Sequence, residues 1–154
     1  MTVVLVPVSR DQLAALREGP LSGPLAGFAA TAALRDTFGL AVADDEETDR
    51  TALLLAGLSS LISYGNRLVV VVEAPVVDTG DPFGEVAVSG ISWNDVSAFF
   101  ADAPEAAQQA AATARHVAGS DLDAAWDDED AQRLMTEHDL LWYGPEELDA
   151  FLRT

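Results

Sequence analysis

The sequence predicts an α/β fold of the mixed α+β kind, with a mixed sheet of about five strands, helices packed on it, and residues 1–154 forming a single domain. Three observations predict it. Arg67-Leu68-Val69-Val70-Val71-Val72-Glu73-Ala74 is an unbroken β-branched run with a charge near each end. A strand with one wet face alternates apolar and polar residues, so a continuous run predicts a central strand covered by helices. Segments with helical spacing and their own caps alternate with strand-like segments. Glycine and proline stop signals separate these segments and leave neither a long linker nor an internal repeat.

The elements follow in chain order. Residues 2–8 read as the first strand, with Pro7, which has no N–H to donate, at its end or on an edge. Ser9 and Gln12 have capping-box spacing, with Val8 and Leu13 as a staple, and open a helix over 10–18 that Gly19 stops. Residues 20–27 hold two prolines and two glycines and read as a loop, followed by a short strand at Phe28-Ala29-Ala30. Thr31 caps a helix over 32–38 that ends at Gly39. Asp44 and Glu47 suggest a second capping box, and acids crowd the first turns of the longest helix, where they favour the dipole. Leu54, Leu58, Leu61 and Ile62 give that helix a core face, and Gly65-Asn66 ends it.

Beyond the central strand, residues 75–83 read as a loop and 85–89 as a strand with one polar face. Ser92 could cap a helix burying Trp93, Val96, Phe99 and Phe100. The reading preferred is a helical turn over 92–95 and a strand over 96–101. Asp102 to Glu105 open an alanine-faced helix to about residue 118, and 121–136 form a helix broken near an acidic run. Residues 139–143 are the last strand. Pro145 starts a closing helix that buries Leu148, Phe151 and Leu152.

Composition excludes several chemistries. There is no cysteine, hence no disulfide, thiolate nucleophile or thiolate-ligated zinc. All 8 basic residues are arginine, so neither Schiff-base chemistry on lysine nor a Walker-type phosphate loop is available. The net charge of −18 argues against binding nucleic acid or anionic lipid. No apolar run approaches the roughly 20 residues of a membrane span, and the N-terminus lacks the basic region of a signal peptide, so a cytoplasmic location is expected. Acids concentrate in the second half: residues 78–154 carry 17 acids against 3 arginines, whereas residues 1–77 carry 9 against 5.

Three motif matches fail on context. Asp78-Thr79-Gly80 matches an aspartic-protease loop, but it occurs once, in a helix-rich chain, with turn composition after it. His138-Asp139, with His116 and Asp149, faintly matches a metal-dependent phosphohydrolase set, yet the pair runs straight into an apolar strand. The acids from Asp121 to Asp130 lack the ligand register and internal glycine of a calcium loop. No catalytic, cofactor-binding or metal-ligating residue is assigned.

Two surfaces remain as candidates. Asp127, Asp128, Glu129 and Asp130 sit where the helical pattern breaks and form a possible surface for a basic protein partner. His138, Asp139, Trp142 and Tyr143 stand where the last strand feeds a helix, a place where sheets bind ligands. Alternation sends Trp142 and Tyr143 to opposite faces, with Trp142 expected in the core and Tyr143 at the rim.

The opening Val-rich strand ending in Pro7, Ala30-Thr31-Ala32-Ala33-Leu34-Arg35, Asp95-Val96-Ser97-Ala98, Asp102 to Ala106, and Leu140-Leu141-Trp142-Tyr143 with Glu147-Leu148 together resemble a family of short, acidic, alanine-rich actinobacterial proteins known only as a domain of unknown function. The resemblance implies one α/β domain and brings no activity, cofactor or catalytic residue. The leading expectation is a non-catalytic interaction or regulatory protein with a basic partner. The alternative is a small-ligand-binding protein or hydrolase with its site at the mouth of the last strand.

Overall fold

The structure, a computed structural model, describes residues 1–154. In chain order it contains β1 (Thr2–Pro7), α1 (Arg10–Glu18), β2 (Leu21–Phe28), α2 (Ala32–Phe38), α3 (Asp45–Tyr64), β3 (Leu68–Ala74), β4 (Val76–Asp78) and β5 (Glu85–Ile91). After a 3-10 turn at Trp93–Asp95 come β6 (Val96–Ala101), α4 (Ala107–Val117), α5 (Leu122–Trp126), α6 (Glu129–Glu137), β7 (Leu141–Tyr143) and α7 (Leu148–Leu152). No helix is long and apolar enough to cross a membrane.

The fold is mixed α+β, with seven helices on one sheet of seven strands rather than about five. The order is β4-β5-β2-β1-β3-β6-β7, and every pairing is antiparallel, so the sheet is not mixed. The two extra strands are β2 and β4, both expected as loops. β2 keeps its proline and glycines by bulging: its register on β5 shifts between Ser22 and Leu25, and Gly23-Pro24 fill the gap. Gly23 lies against the Ser89 carbonyl, where no side chain fits, and Pro24 needs no ladder donor at such a site. β4 is a three-residue edge paired to β5.

Local chemistry sets the helix ends. The Ser9–Gln12 box forms in both directions, at 3.0 and 2.9 Å. Thr31 accepts from the Leu34 amide at 3.1 Å, and Gly39 takes the left-handed stop at φ 66°. The box expected at Asp44 does not form. Asp44 caps α3 without a side-chain hydrogen bond, its backbone at φ −100°, ψ 60° lying outside the extended conformation that aims a cap at the helix amides. Gly65, at φ 83°, ends α3, and the Ser60 hydroxyl joins the turn by donating to Asn66 O and accepting from the Leu68 amide.

Each face of the sheet has its own core. On the first, Val4, Val6, Leu68, Val70, Val72, Val86, Val88 and Phe99 pack with Leu13 and Leu16 of α1 and Leu148 of α7. On the second, Leu5, Phe28 and Val69 pack with Leu34 of α2 and Ala52, Leu55 and Ala56 of α3. The small side chains of α4, Ala110 and Ala114, pack with Leu58 and Leu61 of α3 and with Leu134 and Met135 of α6.

Candidate functional site

The acidic run is more ordered than a solvated patch. Asp127 closes α5 and Asp128 caps α6, accepting from the Ala131 amide at 3.0 Å. His116, at the end of α4, brings Nδ1 to 2.8 Å from Asp128 Oδ2 and 3.5 Å from Asp130 Oδ2. Arg133 approaches the other oxygen of Asp130 at 3.5 Å. Burial alone would raise the Asp128 carboxyl. The Ala131 amide and His116 outweigh it, so Asp128 titrates below the usual carboxylate range. Two of the four acids are therefore engaged, while Asp127 and Glu129 stay exposed and unpaired. His116, Asp128 and Asp130 offer ligand atoms within 4.8 Å of one another, the set a divalent ion would use here. Their mutual pairing already accounts for the arrangement as a clamp between the end of α4 and the start of α6.

The four residues at the last strand do not converge. His138 places Nε2 3.1 Å from Gln109 Oε1, and Asp139 is exposed. Trp142 and Tyr143 do take opposite faces, but the expected assignment is reversed. Trp142 is 58% exposed beside Phe100, while Tyr143 stacks on Phe99 at 5.0 Å and meets Phe151 of α7 at 5.2 Å. Cover decides this: α7 closes the first face over β7, whereas α3 on the second face lies over β1, β2 and β3.

Two clefts stand out. The first, about 400 Å³, opens beside Tyr143 at the end of the sheet where β3 begins, lined by Arg10, Asn66, Arg67 and Asp102 among small residues. His138, Asp139 and Trp142 do not line it. Arg67 is 3% exposed. Its Nε donates to Asp102 Oδ1 at 2.7 Å, its amide to Oδ2 at 2.9 Å, and its Nη2 to the His138 carbonyl at 3.0 Å. Sequence reasoning missed this centre, although the signal was present: a charge just before one antiparallel strand and the opposite charge just after its neighbour end up side by side.

The second cleft, about 300 Å³, is an apolar groove on the second face of the sheet. Val3, Leu5, Phe28, Val71 and Phe100 form its floor, and Asp49, Ala52 and Leu53 of α3 its wall, with the exposed Arg50 beside them. Val3 is 54% exposed. Burial first, and then Asp45, push the Asp49 carboxyl above its ordinary range, only partly offset by Arg35. Asp78, the protease-like aspartate, instead closes a turn by accepting from the Gly80 amide at 2.9 Å.

Compared with known proteins, residues 2–152 match the model of a family of unknown function (DUF6912). No curated protein and no solved structure matches.

Proposed function

The chain belongs to this family of unknown function, and from that premise we propose a non-catalytic binding role in which the second sheet face takes up a basic, partly apolar segment of another protein. The observation that carries the reading is the half-open groove over Val3, Leu5, Phe28, Val71 and Phe100, with Asp49 in its wall. Apolar floor left in water supplies the hydrophobic anchor such an interface needs. The raised Asp49 carboxyl marks a place where a partner's guanidinium or ammonium would be favoured, since its charge would offset the repulsion from Asp45 and compensate the partly desolvated carboxylate.

Charge supports the choice of partner. Only five of the 26 acids, Asp45, Asp102, Asp128, Asp130 and Asp149, are paired with a basic group. The remaining field steers a cationic segment towards the surface, and the unpaired Asp127 and Glu129 contribute to it together with the engaged Asp128 and Asp130.

The test is an NMR titration with a synthetic peptide of alternating leucine and arginine. Methyl signals of Val3, Leu5, Leu53 and Val71 should shift. Affinity should fall between about 50 and 300 mM salt, where the Debye length shrinks from about 14 to about 6 Å. Replacing the peptide's leucines by serine should abolish the methyl shifts. The double variant Asp127→Asn, Glu129→Gln should slow association more than it speeds release. Shifts confined to the acidic run would move the site away from the groove, and no binding at the lower salt would end the reading.

A further inference from the structure

We propose that the cleft beside Tyr143 is a binding site for a small anion carrying a carboxylate or a phosphate, independent of the groove and its protein partner. The cleft gathers arginine side chains in an acidic molecule. In a chain with 26 acids and 8 arginines, it is lined by two arginines and one acidic side chain, Asp102. That acid is already committed, one oxygen to Arg67 Nε and the other to the Arg67 amide.

Four other polar side chains at the cleft keep donors that the fold does not use. Arg67 is tied through Nε and Nη2, and its Nη1 donates to nothing in the protein without being sealed from solvent. A guanidinium fixed by two of its nitrogens with the third facing the cleft offers an oxyanion a pre-oriented, charge-assisted donor. Arg10 uses only Nη2, which donates to the backbone oxygens of Phe151, Leu152 and Thr154 at 3.1, 3.0 and 3.0 Å. The Phe151 ring, 4.9 Å below the guanidinium carbon, holds its plane while Nε and Nη1 stay available. The Tyr143 hydroxyl has no partner in the protein, though its ring is fixed by Phe99 and Phe151. Asn66 is a fourth such group, since its Nδ2 donates to nothing in the protein and is not sealed from solvent. A structural tie accounts for Arg67 Nε and Nη2 and a helix cap accounts for Arg10 Nη2; the unspent donors around one cavity point to a ligand. The guanidinium fork suits carboxylate and phosphate alike.

Because the chain has eight arginines and no lysine, eight Nε–H signals report on every guanidinium. Inorganic phosphate and succinate are titrated separately at constant ionic strength, balanced with chloride. The Arg10 and Arg67 signals should shift saturably with at least one anion while the other six stay still. Whichever anion binds more tightly identifies the chemistry, and either result supports the site. Arg10→Gln should weaken binding about tenfold, the worth of one charge-assisted hydrogen bond. Tyr143→Phe, which keeps the packed ring, should weaken it severalfold at an unchanged melting temperature, and it serves as the test if Arg10→Gln fails to fold. A uniform drift of all eight signals, no shift at about 10 mM of either anion, or wild-type affinity in Tyr143→Phe would overturn the proposal.

Discussion

The two faces of β3 meet different surroundings. Leu68, Val70, Val72 and Ala74 point to the first face and are at most 3% exposed under α1 and α7. Val69, Val71 and Glu73 point to the second, where Val69 is fully buried by α3, Val71 is half-buried in the groove and Glu73 is in water. An apolar run establishes that a strand is interior to its sheet. How much of each face is closed depends on the helices that lie across it, and α2 and α3 leave the second face open towards Val3 and Trp142.

The largest expected effect comes from placing a charge on each face. Val70→Asp should cost about 4 kcal/mol or more, enough to threaten folding, because it buries an unpaired carboxylate. Val71→Asp should cost about 1–2 kcal/mol, since its carboxylate reaches water through the groove. Urea unfolding of both proteins at neutral pH decides the matter, and equal losses would mean that the second face is closed.

The same contrast recurs at the edge strand with smaller numbers. Tyr143→Ala should cost about 2–3 kcal/mol by removing a ring packed on Phe99 and Phe151. Trp142→Ala should stay within about 1 kcal/mol of wild type. If the tryptophan variant proved the less stable, the cover assigned to the two faces would have to be exchanged.

The smallest effect concerns Glu85, which pairs across the strands with Phe28 on the second face. Burial, and then Asp81, hold its carboxyl above the ordinary range. A carboxyl raised in the folded state stabilises the fold below its unfolded pKa, and that contribution is lost as pH rises through the folded value. Glu85→Gln should therefore melt slightly above wild type at neutral pH, with the difference closing as the medium is acidified past the glutamate range. A gap that stays constant with pH would show that the side chain is freely hydrated.

Much of the fold was legible because its signals are local. Ser9 with Gln12, Thr31, Gly39 and Gly65 mark helix ends through bonds within a few residues, and those helices lie where the residues say. β2 was not legible. Its glycines and Pro24 carry turn chemistry, and only the neighbouring β5 turns that chemistry into a bulge. The cap at Asp44 failed for a related reason, since residue type permits a cap but backbone geometry makes it. The sites divide the same way. The acidic run was visible as charge, but its pairing with His116 was not, because the partner lies on another helix. The arginine-lined cleft joins residues from both ends of the chain to β3, and nothing short-range links Arg10 to Arg67.

The lengths of the outermost strands bear on how the protein behaves when concentrated. Both borders of the sheet, β4 and β7, are three residues long, whereas the valine-rich strands lie inside. A long bare border offers a row of free amides and carbonyls on which a foreign backbone can lay itself down, and repetition of that step builds fibres. Here any such template runs out after one or two bonds. The most fibre-prone stretch of the chain, Leu68 to Val72, is held between β1 and β6 and becomes available to other molecules only on unfolding.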